Sequence, residues 1–241
     1  MGQREPVLVP EVSQSRIEVR QGFTGANLLL YGAVVDPDAG RAGMKASSGY
    51  DIVVVLKGPT EPIRLREKRR IAGIWMNAGS SDFRSAPSFF AVASSRPVEE
   101  IVDARTAAIY ELGTNFIQLS PTGQIEREEQ SRFTRGLAEL RERQGLYKQN
   151  TGGVRISEGV LYQALITLPS NVTTGNYTAE TFAIADGRVL ASATADIEVV
   201  KAGLEGRVVY ASQRWSLFYG LGAVALSLSM GWVAGRSFGR S

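Results

Sequence analysis

Residues 215–235, WSLFYGLGAVALSLSMGWVAG, run for about 21 positions without a charged side chain. A helix rises about 1.5 Å per residue, so this segment would measure about 31 Å, close to the hydrocarbon thickness of a bilayer. Its polar atoms are mainly serine hydroxyls, which can bond back to their own helix. Trp215, Tyr219 and Trp232 lie near its ends and Arg214 and Arg236 flank it, matching the aromatic belt and cationic border of a membrane span. A single transmembrane helix over 215–235 is therefore expected, followed by a short basic tail over 236–241. One face of it carries Ala223, Ser227, Gly231 and Gly235 at four-residue steps. Small residues so spaced let a second helix approach closely, which allows a homo-oligomer or a packed membrane partner.

Charge does not orient this helix. Lys201, Arg207 and Arg214 precede it, and Arg236 and Arg240 follow it; a long domain is translocated largely regardless of such a bias. The opening MGQREPVLVPEV has no apolar stretch of the signal-peptide kind. Pro6 stands where a myristoylation signal needs Ser or Thr. Two readings stay open: a tail-anchored protein, or the processed form of an exported domain held by a stop-transfer helix. Residues 1–15 are read as an N-terminal extension.

The chain has no His and no Cys. That excludes disulfides, thiol nucleophiles, His-based triads, Cys/His zinc sites and axial haem histidines. No GxSxG, P-loop or Ser-x-x-Lys pattern occurs. Asp36 and Asp38 lack the remaining ligand spacing of a calcium loop. Glu99 and Glu100 are adjacent and on a helix would point about 100° apart, which is no acid/base pair. The expectation is no enzyme, no catalytic residue, no metal and no cofactor. The net charge of +3 is too small to imply nucleic acid as a partner.

Residues 16–210 read as a β-rich domain. Strands are expected at 16–20, 27–35, 50–57 and 62–67, with short apolar runs at 71–76 and 88–93; in 62–67, Ile63 and Leu65 alternate with Arg64 and Arg66, the pattern of a strand with one wet face. A helix is expected from Pro97 through Ile101, Ala104, Ala108 and Leu112 to a stop at Gly113. A second is expected from Ser120-Pro121 to Gly145, with Phe133, Leu137 and Leu140 as its apolar stripe and Glu128–Arg132 and Glu139–Arg143 as supporting pairs. Strands resume at 160–168, 177–184 and 189–199, the last two joined by an Asp186-Gly187 hairpin turn. Gly175 two residues before Tyr177 resembles the tyrosine corner of immunoglobulin-like sandwiches. The expected fold is mainly β with a helical insertion at about 68–153: an immunoglobulin-like β-sandwich followed by the C-terminal transmembrane helix.

Several blocks occur in order: GFTGANLLLYGAV (22–34), YDIVVVLKGP (50–59), KRRIAGIWMN (68–77), PSFFAVASSRPVEEI (87–101), RQGLY (143–147) and GNYT (175–178). Together with the terminal helix they make the chain, from about Ser13 onward, resemble the alphaproteobacterial transmembrane protein family. The resemblance implies an exported protein of the inner membrane, with its domain in the periplasm, one C-terminal helix and the C-terminus in the cytoplasm. It also implies, as a partner, a permease of the sulfite-exporter kind.

Two surfaces are candidate sites. Arg64 and Arg66 with Trp75 and Phe89 would form a partner surface, and Phe90 would extend its aromatic wall. Arg69, Arg70, Ser95 and Arg96 would hold a small anion through guanidinium groups and a helix N-terminus. The leading expectation is a non-enzymatic interaction or accessory protein of the cell envelope. The alternative is a small-anion-binding accessory subunit of a sulfite-exporter-like permease.

Overall fold

Strand β4 (Asp51–Lys57) contains five consecutive side chains, Ile52 to Leu56, with no exposed surface at all. A strand points alternate side chains to opposite faces, so both faces of this one are covered. At about 1.5–3 kcal/mol for each large apolar side chain buried, this strand is a major reason for the domain to close around it. The computed structural model describes residues 6–35, 49–202, 220–221 and 224–232. It divides into two units, Met1–Ile17 with Phe23–Val199, and Glu18–Gly22 with Val200–Ser241.

The sheet around β4 has the order β2 (Arg16–Val19), β13 (Arg188–Lys201), β12 (Gly175–Ala185), β4, β7 (Phe90–Ser94), β9 (Tyr147–Thr151). β7 runs antiparallel to β4 and parallel to β9. A second sheet has the order β1 (Val7–Val12), β3 (Gly25–Val35), β11 (Leu161–Pro169), β10 (Val154–Ser157). Along β11 Tyr162, Ala164, Ile166 and Leu168 are buried, and the residues between them are turned outward. The two sheets pack face to face, with β11 against β7, β10 against β4 and β1 against β12. Tyr177 anchors the turn into β12: it is fully buried, and its hydroxyl donates to the Thr173 carbonyl at 2.7 Å. Desolvation pushes its pKa up to about 12.

Helical segments cover the other face of the β4 sheet. Tyr110 stands edge-on to Phe182 of β12 at 5.4 Å, and Lys57 of β4 pairs with Glu111 at 2.8 Å and Glu180 at 3.2 Å. The helix expected over 97–113 is broken into α1 (Val98–Ile101) and α2 (Ala104–Ile109). Val102 is extended, and Asp103 caps a fresh N-terminus by accepting the Thr106 N–H at 2.8 Å.

A third, smaller sheet is built on a long hairpin, β5 (Thr60–Ile71) and β6 (Ile74–Pro87), with β8 (Ser120–Pro121) at its edge. Its base leaves the β4–β7 pair at Gly58-Pro59, where the Ser88 N–H donates to the Pro59 carbonyl at 2.9 Å. Helix α3 (Arg127–Arg143) packs against it.

Several expectations are corrected here. The insertion does not turn helical at residue 68. Strand continues to Pro87, and the helices lie between Val98 and Arg143. The short apolar run at 71–76 is the end of the hairpin, reversed at Ala72 (φ 49°) and Gly73 (φ 86°), a two-residue turn with both φ positive. The second helix starts at Arg127, because Ser120 and Pro121 pair with β6. Leu140 is exposed, and Ala138 takes its place beside Phe133 and Leu137 in the buried stripe. Part of the supposed N-terminal extension is β1, paired to β3; Pro10 fits there because an edge strand tolerates a missing N–H.

Of the expected membrane segment, residues 220–221 and 224–232 are described, and they are helical with exposed apolar side chains. The Ser229 hydroxyl donates back to the Leu226 carbonyl at 2.8 Å. Among the described residues no helix is long and apolar enough to cross a membrane. Trp215, Tyr219, Ala223 and Gly235, the 236–241 tail, and Asp36 and Asp38 lie outside the described residues.

Replacing Tyr177 by Phe removes one buried hydrogen bond and leaves the Thr173 carbonyl without that donor. The expected loss is about 1–2 kcal/mol of unfolding free energy, read by denaturant titration. An unchanged midpoint would show that the phenol carries no load in this turn.

Candidate functional site

The β5–β6 hairpin is a ribbon with two different faces. Toward α3 it presents Glu61, Ile63, Leu65 and Glu67. Arg141 pairs with Glu61 at 2.5 Å near the base, and Phe133 meets Phe83 edge-on at 6.1 Å further along. Arg132 reaches Glu67 at 3.9 Å. The opposite face carries Arg64, Arg66, Lys68 and Arg70, all exposed. Across the strand these pair in register with Asp82, Ser80, Asn77 and Trp75, and cross-strand partners share a face.

Arg64 is neutralised by Asp82, with two nitrogens of the guanidinium donating to the two carboxylate oxygens at 2.5 and 2.8 Å. That guanidinium, through its hydrogen bond, holds the Asp82 carboxyl below its ordinary range. Arg66 and Lys68 have no carboxylate within ion-pair distance among the described residues, and the Arg70 Nε donates to the Gly73 carbonyl at 3.1 Å. Beyond the Glu67–Arg132 contact the ribbon continues for about 13 Å to its turn at the usual strand rise. Its end carries Ile74 (68% exposed), Trp75 (67%) and Met76 (51%). Three large apolar side chains on one projecting turn are a concentration that isolated surface hydrophobes do not make.

The expected partner surface is thus partly assembled. Arg66 and Trp75 share one face of the hairpin, and Arg64 shares it but is committed to Asp82. Phe89 and Phe90 do not join them, because both are fully buried at the start of β7. Phe89 packs on Tyr177 and Phe90 on Tyr147, each at a ring separation of 6.0 Å. The Tyr147 hydroxyl donates to the Pro87 carbonyl at 2.7 Å. These aromatics belong to the core at the hairpin's base, not to its surface.

The expected anion site is not assembled. Arg70 and, beside it, Arg69 stand at the far end of the hairpin, which leaves the β4–β7 pair at its Lys57–Phe90 end. Ser95 and Arg96 follow β7 at the opposite end of that pair, about 20 Å away along β4 alone. Arg96 spends its fork on Asp51, with Nε at 2.9 Å and Nη2 at 2.5 Å, and the Ser95 hydroxyl donates to the same carboxylate at 2.8 Å. The cluster ties the start of β4 to the end of β7.

What the residue pattern did not disclose is that Ile74 and Met76 join Trp75 on the surface, and that α3 buttresses the ribbon behind them. One signal was available: Ala72-Gly73 sits between two runs of strand-forming residues at the spacing of a two-residue hairpin turn. A second exposed apolar area was also unforeseen. Val7, Val9, Val35, Leu161 and Leu165 occupy the outer face of the β1–β3–β11–β10 sheet. Ser227 and Gly231 are both on the described C-terminal helix, and among the described residues nothing beyond that helix's own backbone lies within 4 Å of a Cβ built on Gly231.

The hydrogen bonds from Arg96, against the opposing effect of burial, hold the Asp51 carboxyl below its ordinary value. Such a group contributes stability that is present above its unfolded pKa and lost as pH falls through the folded one. Asp51→Asn is therefore expected to lower stability at neutral pH by under about 1 kcal/mol, as befits a partly exposed pair. It should also flatten the fall in stability below pH 3.8, the ordinary value of that carboxyl. Parallel acid-unfolding curves for the two proteins would contradict the assignment.

Residues 7–240 match the family model described as "Putative transmembrane protein (Alph_Pro_TM)", which takes in nearly the whole chain; the chain belongs to that family. No curated protein and no solved structure matches it.

Proposed function

Starting from membership of this transmembrane family, we propose that the chain is a single-pass protein of the inner membrane. Its β-domain stands in the periplasm, its C-terminus in the cytoplasm, and it acts without catalysis by touching another component of the envelope. The observation that carries this reading is the buttressed hairpin with Ile74, Trp75 and Met76 at its end. A long ribbon braced on one face by Phe133, Arg132 and Arg141 and left open at its tip is suited to presenting a contact surface. The lack of His and Cys supports a role by contact over one by chemistry.

The family description and the charge-free segment support the anchor over 215–235. Tethering raises the local concentration of the domain at the membrane, so weak contacts suffice. Ala223, Ser227, Gly231 and Gly235 would give the anchor a close-packing face for a second copy or for a permease helix. The orientation follows the resemblance of the sequence blocks.

The domain itself is read as an immunoglobulin-like sandwich. The order β1-β3-β11-β10 corresponds to strands A-B-E-D, and β13-β12-β4-β7 to G-F-C-C′. Tyr177, bonded to a carbonyl four residues upstream, takes the part of the tyrosine corner. The hairpin is then an insertion between C and C′.

A photo-crosslinking residue placed at Met76 in cells tests the contact role, with one at Ser192 of β13 as control. The expected result is an adduct with a lipid or protein of the envelope at Met76 that exceeds the control severalfold. Equal labelling at both positions would remove the hairpin as the working surface.

A further inference from the structure

We propose that the end of the β5–β6 hairpin docks on an anionic phospholipid surface. Trp75, Ile74 and Met76 enter the headgroup boundary while Arg70, Lys68 and Arg66 lie against the lipid phosphates. This rests on the reading of the hairpin as the contact surface and names what it touches.

Three features of the ribbon favour a bilayer over a protein partner. The apolar residues are on a narrow convex end, with Trp75 on the basic face and Ile74 and Met76 on the other, so they surround the turn. A protein partner would have to supply a deep pocket to bury them, whereas a headgroup layer closes around any projection. The cations follow the tip on one face at alternate positions, about 7 Å apart at the usual strand rise. Tryptophan beside Arg or Lys is the combination that partitions to the membrane–water boundary.

The charge on this face is also uncompensated toward the tip. Asp82 is the carboxylate on it among the described residues, and it is held by Arg64, the cation nearest the base. Glu67 lies on the opposite face, within reach of Arg132 of α3. What remains toward the tip is positive, so the surface that complements it is negative. Each basic side chain close to an anionic bilayer strengthens attachment by about fivefold.

The test uses the full chain with Trp215→Phe and Trp232→Phe, so that Trp75 is the one remaining tryptophan. It is reconstituted into phosphatidylcholine vesicles with or without phosphatidylglycerol, each containing lipid brominated near the headgroup end of the acyl chain. Trp75 fluorescence is expected to be quenched and blue-shifted in the phosphatidylglycerol vesicles and far less affected in the neutral ones. Arg66→Gln, Lys68→Gln and Arg70→Gln together should weaken docking by on the order of a hundredfold and return the signal to the neutral-vesicle level. Should the triple variant be poorly folded, raising salt on the parent chain reads the same attraction, because ions screen it.

Equal quenching in both vesicle types, insensitive to salt and to the three substitutions, would overturn anionic recognition. So would an unquenched, water-like emission throughout. If a protein adduct at Met76 then appears in cells, the hairpin is a contact surface for a protein; if none appears, the contact reading falls as well. Flotation of the chain with the vesicles reports the C-terminal anchor separately, so its loss would not be mistaken for failure of the hairpin.

Discussion

A strand whose two faces are both apolar must be covered twice, and Ile52 to Leu56 impose that demand on the whole domain. One cover is the β1–β3–β11–β10 sheet. The other is made by the segments between Pro97 and Ile117, which reach the sheet through Tyr110 on Phe182 and Glu111 on Lys57. The helical part of the insertion thereby gains a structural reason: without it, Phe182, Ile184 and alternate residues of β4 would face water. Lys57 shows how tightly the cover is set. Burial works against its charge, but the two carboxylates of Glu111 and Glu180 outweigh that and hold its pKa above the ordinary lysine value.

The hairpin depends on the same platform. Its base is set between Gly58-Pro59 and Ser88-Phe89, where an added Cβ on Gly58 would lie 2.9 Å from the Ser88 hydroxyl and 3.0 Å from the Tyr177 ring. Tyr177 and Tyr147 each pack a phenylalanine at the start of β7 and each bond a backbone carbonyl, those of Thr173 and Pro87. The place from which the ribbon projects is therefore among the densest parts of the core. Further out, α3 takes over the bracing until Glu67, and past that point the described residues show the ribbon held by its own ladder. Packing against the rest of the domain thus declines from base to tip, while exposed apolar surface rises in the same direction.

Much of this was legible in the residues. The apolar run IVVVL announces a strand, Asp186-Gly187 a hairpin turn, and Gly175 before Tyr177 a pinned corner. Other parts were not, for identifiable reasons. Tyr147–Thr151 is polar and without alternation, and it becomes strand through a parallel partner, Phe90–Ser94, more than fifty positions away in the chain. Phe89 looked like surface because apolarity does not distinguish a side chain that is buried from one that is presented. Phe89, expected on the surface beside Trp75, lies under the hairpin's base, while Trp75 stands exposed at its end. Arg96 looked free to hold an anion because its partner, Asp51, stands 45 residues earlier.

Hydrogen–deuterium exchange along the full chain in detergent tests most directly whether the hairpin is a standing projection carried by a doubly covered strand. The expected profile is slow exchange across Ile52 to Leu56, intermediate protection from Thr60 to Glu67 where α3 braces the ribbon, and fast exchange from Lys68 to Asn77. Fast exchange over the whole of 60–87 would contradict this, since the ribbon would then have no fixed form until something bound it.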